Sequence, residues 1–442
     1  MTSRTITIQG LILAILIALL FFAVHNTSAI AGAEDKLRKN ALHEPQSSDP
    51  NVAYIEILLP ATPLAGLSAG FSGIAPSIHL IRLGAARPLS NVDPLEHPAR
   101  RRFGRIDLSF AFLFVIPIAL LPLCFVLYHQ INSSGRIDDL LAGKISFFDF
   151  IAEKIALPMA AWFAILLATI IAVLYAAGVK FDSNQSLVRL LFWLTLILTY
   201  LSCWALLLGY FLLRTRSFAG AALRYTAVFL TIAILIPALA QSLQLAFIPP
   251  AERLPLILAR REFGNLARTG DPAPINRFLA AKGQPPLDLS KAYTPAQRLA
   301  LINLAAEFEL YPRITAMEES FRTHDRMAGI ASWLSPVTLA HFGLDELSGT
   351  GLSRYSRFRE ASIAFLQQWQ NHMLPRLLNR EFLDLDALHA TPRFEFLEEA
   401  ESGILTRSSL RCLYLIAILC ALIFLIRREV LKLLPKNANA AR

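Results

Sequence analysis

The residues that could support metal or acid–base chemistry lie in one part of the chain, between 324 and 345. His324 and Asp325 are adjacent in "THDRMAGIASW", and His341 stands four residues before Asp345 in "HFGLDEL". Residues four apart on a helix share a face, so the second pair could hold a metal ion. Zinc sites take at least three protein ligands, however. The pattern favours a hydrogen bond, and we expect no metal site here.

Other signatures of catalysis are missing from the sequence. It contains no G-x-x-x-x-G-K-[ST], no H-E-x-x-H and no G-x-S-x-G, so this chain should not hydrolyse ATP itself. The four cysteines fall in apolar runs without metal-ligand spacing, which favours free, packed thiols. We therefore expect no catalytic residue, no cofactor and no metal.

The elements that position these residues are predicted to be membrane helices. Of 442 residues, 55% are hydrophobic and only 17% are charged, whereas soluble domains carry about 25% charged residues. Six apolar runs approach the roughly 20 residues that a spanning helix needs. They are Ile8–Val24, Ile106–Leu127, Ile155–Ala177, Leu187–Leu213, Ala221–Phe247 and Cys412–Ile426. The first run also resembles a signal peptide, and its length favours an uncleaved anchor.

The charge distribution predicts the orientation of these spans. The net charge is +9, but the basic residues are scattered, so we expect no nucleic-acid partner. Arginine and lysine in short loops tend to stay in the cytoplasm. Arg136, Lys144, Arg214 and Arg427 then place both termini inside, although "RRRFGR" (100–105) lies on the outer side in this arrangement. The opposite orientation would place the large loop 248–408 in the cytoplasm.

The predicted fold is an all-α polytopic membrane protein with six transmembrane helices and a mainly helical extracytoplasmic domain between spans five and six. Helix caps support the helical extracytoplasmic domain, because Asp271 and Thr294 each precede a helical pattern. The helix that begins after Thr294 should stop near Pro312. An apolar stretch at 63–81, broken by glycine and proline, is placed at the membrane surface. The predicted divisions are 1–26 (first span), 27–105 (extracytoplasmic loop), 106–247 (four spans), 248–408 (extracytoplasmic domain) and 409–442 (last span and basic tail).

A polar strip, "LYHQINSSGRIDDLLAGKIS" (127–146), separates the second and third spans. As a helix it places Ile137, Leu140 and Leu141 on one face and Asp138 on another. Such a segment fits the inner membrane surface. It is either a simple connector or a docking element for another protein.

The strip and the span before it resemble type-2 ABC exporter permeases. The family's entry into the second span is matched by Asp107, Leu108 and Phe110. The segment after that span is matched by Ser133, Ser134, Leu140, Leu141, Ala142 and Lys154. One position departs from the family pattern, because Gly135 replaces an expected glutamate. The resemblance implies that the cytoplasmic segment 131–154 couples to an ATPase. Its candidate coupling residues are Ser134, Arg136, Asp138, Leu140 and Leu141.

A second stretch, 332–369, is similar to the extracytoplasmic domain of one branch of these permeases. The shared features are an "LSP" step with Ser335 and Pro336, and a "GTG" turn formed by Gly349, Thr350 and Gly351. They also include an R-x-x-x-F pair, Arg354 and Phe358, and a distant tryptophan, Trp369. That domain has no assigned activity, so the resemblance implies no substrate.

Together these resemblances imply a permease subunit in a bacterial inner membrane, with both termini cytoplasmic. Its expected partners are a separate ATP-binding ABC subunit, a second permease subunit in a homo- or heterodimer, and the lipid bilayer. The alternative is a membrane-anchored enzyme or sensor that works through the 248–408 domain. A copurifying ATPase would favour the first, and a metal or cofactor on the isolated domain would favour the second.

Overall fold

The structure is a computed structural model, and most of the chain after residue 183 is described. The described residues are 54–73, 77–83, 85, 88–90, 107–122, 125, isolated positions between 164 and 175, 184–215, 217–249, 254–268, 271–287, 293–379 and 391–433. The first predicted span and the segment 131–154 lie outside them. The candidates Ser134, Arg136, Asp138, Leu140 and Leu141 therefore also lie outside the described residues.

Helices dominate the described part of the chain. In order they are α1 (Leu108–Pro122), α2 (Asn184–Thr215), α3 (Phe218–Phe247), α4 (Leu254–Arg268), α5 (Ala273–Ala281), α6 (Pro295–Ala331), α7 (Pro336–Leu347), α8 (Leu352–Asn379) and α9 (Glu401–Leu433). The chain is thus mostly helical, as predicted.

Three of these helices, α2, α3 and α9, are long and apolar enough to cross a membrane. They contain the predicted spans Leu187–Leu213, Ala221–Phe247 and Cys412–Ile426. α1, at the site of the second predicted span, is a shorter apolar helix. Of the third predicted span, only isolated helical positions are described.

A small antiparallel sheet corrects the all-α prediction. Its strands are β1 (Tyr54–Leu58), β2 (Ile78–Arg82) and β3 (Leu89–Ser90), in the order β1-β2-β3. Ile57 on β1 pairs with His79 on β2. Runs of about five apolar residues do not distinguish a strand from a buried helix segment. The sequence alone therefore did not predict these strands, which lie in a segment interpreted as a proline-rich loop.

The predicted surface position of 63–81 is also wrong for much of that stretch. Leu64 and Leu67 are buried in one core with the long helices, and Ile81 is buried in a second core. Most of the described apolar side chains of this stretch therefore contact protein interior.

The inner core lies between α1, α2, α3 and α9. Trp193 and Tyr200 of α2 are fully buried, and the Tyr200 hydroxyl donates to the carbonyl of Leu113 at 2.7 Å. Tyr225 of α3 donates to the carbonyl of Pro117 at 2.8 Å. These hydroxyls satisfy buried backbone acceptors, which are costly when left unpaired.

The outer core joins the sheet to α5, α6 and α8. Ile57 and Ile81 from the strands pack with Leu301 of α6 and with Phe358 and Trp369 of α8. Phe358 and Trp369 are fully buried in this core. The helices of 248–408 share this core with residues before the second predicted span.

Two helix boundaries test the cap predictions. Thr294 and Gln297 form a reciprocal capping box at the start of α6, which confirms the predicted start. The predicted stop near Pro312 is wrong, because α6 continues to Ala331. Pro312 lies on the exposed side of the helix. Water there can hydrogen-bond the carbonyl that loses its helical partner, which lowers the cost of the interruption.

Candidate functional site

The candidate site is the helical hairpin 327–347, formed by the end of α6, a 3₁₀ turn and α7. This stretch has no acidic or basic residue before His341. Its turn, Ser332–Leu334, brings the hairpin tip against the long apolar helices. We define this segment as the hairpin.

Ser335 fixes the hairpin tip to α3. Its backbone is extended (φ −131°, ψ 128°), and its hydroxyl oxygen accepts from the amide of Val337 at 3.2 Å, which caps α7. The same hydroxyl donates to the carbonyl of Ile232 at 2.7 Å. Pro336 occupies the first turn of α7, where its missing amide proton costs nothing.

Ile232 lies midway along α3, in a π-helical turn at Thr231–Leu235. Pro237 follows that turn and has no amide proton for the carbonyl four residues earlier. A π turn just before a proline is an expected response to that loss. The hairpin tip therefore contacts a candidate span at an irregularity set by the span's own sequence.

The hairpin tip also contacts the last candidate span. The rings of Trp333 and Tyr414 meet edge to face at 5.8 Å. Tyr414 is thirteen residues into α9, which corresponds to about 20 Å of helix. The hairpin tip thus lies beside α9 well past the first turns of that helix.

α7 packs closely against α2 and α9. Val337, Ala340 and Leu344 of α7 are buried in the same core as Trp193 and Leu196 of α2. A Cβ atom added at Gly343 would lie 2.6 Å from Cδ2 of Leu196 and 3.2 Å from Cδ of Arg411. A larger residue at 343 would force the side chains of Leu196 and Arg411 to shift.

Charged groups join the outer end of α7 to α9. The Glu346 carboxylate pairs with both Arg407 and Arg411, and the Glu346 and Arg411 side chains are each only 10% exposed. Arg407 also pairs with Glu399 at 2.7 Å. On α2, Arg189 donates to Glu401 at 2.7 Å. Because Glu346 and Arg411 are buried, their pairing must be retained or both must be exposed to water.

The "GTG" turn joins α7 to the segment 60–73. Gly349 has φ +71°, which only glycine adopts without strain. The Thr350 carbonyl accepts from the amide of Phe71 at 2.9 Å, and the Thr62 hydroxyl donates to the carbonyl of Ser348. Gly351 follows at the start of α8. The motif is therefore a docking point between two distant parts of the chain.

Arg354 closes the same junction. Its guanidinium donates to the carbonyls of Gly349 (3.0 Å) and Pro60 (2.7 Å) and pairs with Glu398. The residue is 8% exposed. A cavity of about 30 Å³, lined in part by Thr62, Thr350 and Arg354, lies beside it, and such a volume is about that of one water molecule. These contacts give Arg354 a role in holding the junction together.

The predicted histidine and aspartate candidates take part in polar contacts within the protein. His341 Nε2 lies 3.5 Å from Asp345 Oδ2, and Asp345 also accepts from the Ser68 hydroxyl. Burial raises the pKa of the Asp345 carboxyl above its usual range. Asp325 accepts from Ser356 at 2.6 Å. Within the described residues, no three histidine, cysteine or acidic side chains form a group that could hold a metal.

His324 joins α6 to α3. Its ring Nδ1 lies 3.0 Å from the Gln244 side-chain nitrogen, which also donates to the His324 carbonyl at 3.0 Å. Gln244, a polar residue late in the fifth predicted span, therefore forms hydrogen bonds with α6.

The structure places the predicted 332–369 residues at three locations. Ser335 and Pro336 lie at the hairpin tip against α3, Gly349 to Arg354 lie at the junction with the segment 60–73, and Phe358 and Trp369 lie in the outer core. Sequence reasoning missed Thr62, Ser68, Glu346 and Arg407. Glu346 and Arg407 had no local signal, because charged residues near span ends are common. Cys203 and Cys412 are free and buried, as predicted, whereas Cys420 is free but exposed, so the prediction of a packed thiol is wrong there. Cys124 lies outside the described residues.

Comparison with known families adds one match. Residues 291–397 match a family described as a domain of unknown function, DUF3526. The matched region runs from the start of α6 to just before α9 and contains the whole hairpin. No curated protein and no solved structure matches the chain.

Proposed function

We propose that the chain is the membrane-spanning permease subunit of an ABC-type exporter, driven by a separate ATP-binding subunit. The sequence resemblance in 107–154 and 332–369 names this class. Three apolar helices of spanning length are compatible with it. The proposed location is a bacterial inner membrane, with six spans and both termini in the cytoplasm.

The observation that carries the proposal is the seating of the hairpin among α2, α3 and α9. Ser335 bonds to the middle of α3, Gly343 touches α2, and Glu346 is clamped by α9. Packed interiors shift between discrete arrangements because they deform little. A rearrangement of these helices would therefore move the hairpin and the outer core with it.

In this proposal ATP supplies the rearrangement from the other side of the membrane. The segment 131–154 docks on the ATPase through Leu140 and Leu141, since apolar anchors dominate most interfaces. Closure of the ATPase subunits then shifts the flanking helices. Such coupling requires that each partner contact the two states differently. A second permease subunit, identical or homologous, completes the pathway.

The test is purification of the intact, tagged protein with its associated proteins. We expect an ATP-binding subunit to copurify, and Leu140→Ser with Leu141→Ser to reduce its recovery or uncouple hydrolysis from transport. Asp138→Asn serves as the matched control, because exposed ion pairs contribute below about 1 kcal/mol.

The double variant counts only if it inserts in the membrane with the parent's helical content. Parental recovery and transport by that variant would reduce the segment to a connector. A metal or cofactor on the outer domain, with no ATPase recovered, would instead favour the enzyme or sensor alternative.

A further inference from the structure

Helix α4 carries an exposed apolar face directly after the end of α3. Leu254, Ile257 and Leu258 are 63%, 51% and 53% exposed. Positions i, i+3 and i+4 lie on one face of a helix. The other side of α4 is held in place, because Phe263 packs against the outer core. The apolar face is therefore presented outward by a seated helix.

This face follows the apolar surface of α3. Leu243 and Phe247 in the last turns of α3 are 57% and 81% exposed. Leu254 follows Phe247 by seven residues, and a link of that length spans at most about 25 Å. The first turn of α4 must then lie near the outer end of a helix whose own exposed side is apolar.

Basic residues follow the apolar ones along α4. Arg260 and Arg261 are both exposed, and neither has an acidic partner among the described residues. Between 254 and 268 the helix has three arginines and one glutamate. An apolar face bordered by exposed arginines matches the order of a leaflet, where acyl chains lie beneath anionic phosphates.

We propose that α4 lies in the membrane interface at the outer end of α3, with Leu254, Ile257 and Leu258 among the acyl chains and Arg260 and Arg261 at lipid phosphates. The inference rests on the proposed insertion of α3 across the bilayer. It gives the helix after the fifth predicted span a lipid-binding role that would fix the height of the outer core above the membrane.

The test places a single bimane-labelled cysteine at position 257 of the full chain, with the native cysteines replaced, in vesicles that contain anionic lipid. Quenchers are nitroxide lipids labelled at the headgroup or in the middle of the acyl chain. We expect quenching at 257 by these lipids to be at least twofold stronger than at position 298, an exposed site at the far end of α6. Replacing Arg260 and Arg261 with glutamine should reduce quenching at 257 about twofold, whereas Arg298→Gln should leave it unchanged.

A label at Leu230, exposed midway along α3, separates the two proposals. Acyl-chain quenching at 230 with water-like behaviour at 257 would overturn the interfacial placement and leave the membrane insertion intact. Water-like behaviour at both positions would refute the insertion itself. Oxidative cross-linking of 257 between two chains, with loss of lipid quenching, would assign the face to a second copy and overturn the lipid assignment.

Discussion

Glu346 joins the hairpin to α9 through ion pairs with Arg407 and Arg411. Glu346→Gln would leave the buried Arg411 guanidinium without its charge partner. Removing one member of a buried pair typically costs about 3–5 kcal/mol. We expect this variant to unfold at a clearly lower temperature in detergent, as followed by near-UV circular dichroism.

Two further variants make that prediction specific. Glu319→Gln changes a glutamate whose side chain is 57% exposed, and it should leave the unfolding midpoint unchanged. Glu346→Leu combined with Arg411→Met removes both charges and should be less destabilised than Glu346→Gln alone. Equal unfolding midpoints for Glu346→Gln and Glu319→Gln would contradict a stabilising role for the buried Glu346–Arg411 ion pair.

His79 makes the outer core sensitive to acid. Its ring stacks on Phe358 at 4.7 Å and lies 3.0 Å from the Ser362 hydroxyl. Burial, with a smaller contribution from Arg359, lowers the pKa of His79 from 6.5 to about 4. The unfolded chain therefore binds a proton more readily, so stability falls as the pH drops from 6.5 towards 4.

The size of this effect follows from the shift in the His79 pKa. The full change corresponds to about 3 kcal/mol between folded and unfolded states. His79→Leu removes the titration, and Ser362 keeps its own bond to the Phe358 carbonyl. The melting temperature of this variant should depend less on pH between 6.5 and 4.5 than that of the parent. Parallel pH profiles would refute the assignment.

At the scale of elements, the sequence predicted what local chemistry specifies. Thr294 indicates the start of α6, and long apolar runs indicate α2, α3 and α9. The three strands and the hairpin were missed because their partners are distant in sequence. Ile57 and Trp369 share a core although they are far apart in sequence, and the role of Ser335 depends on a hydrogen bond to a carbonyl in α3. Pairings over such separations leave no periodic signal.

The shared outer core predicts that β2 stabilises helices far along the chain. Ile81 of β2 and Leu366 of α8 are both buried in this core. Truncating either to alanine should cost about 2–5 kcal/mol. We expect hydrogen exchange in α8 of the intact protein to accelerate in Ile81→Ala as it does in Leu366→Ala.

Leu299→Ala is the control for the core prediction, because Leu299 on α6 is 57% exposed. If Ile81→Ala left exchange in α8 at the parental rate, the helices of 248–408 would be stable without the sheet. In that case the segment 250–407 should also fold alone. The shared core instead predicts that this segment is less stable without residues 54–90.

At the scale of the whole molecule, three layers of contact connect the long helices to the outer core. The hairpin tip touches α3 and α9, α7 lies against α2, and the "GTG" turn binds the segment 60–73. The DUF3526 match covers the hairpin and α8 but not the strands that share a core with α8. The matched region therefore shares a core with residues that lie outside the match.

The orientation of the whole molecule can be tested with two exposed positions at opposite ends. Arg428 lies near the end of α9 with Arg427 and Lys432, and Arg298 lies at the start of α6. Basic residues next to a span stay in the cytoplasm because their transfer across the membrane is disfavoured. Arg298→Cys should react with an impermeant thiol reagent on intact cells, and Arg428→Cys only after permeabilisation, once the native cysteines are replaced. Labelling of Arg428→Cys alone on intact cells would reverse the orientation and place the hairpin and the outer core in the cytoplasm.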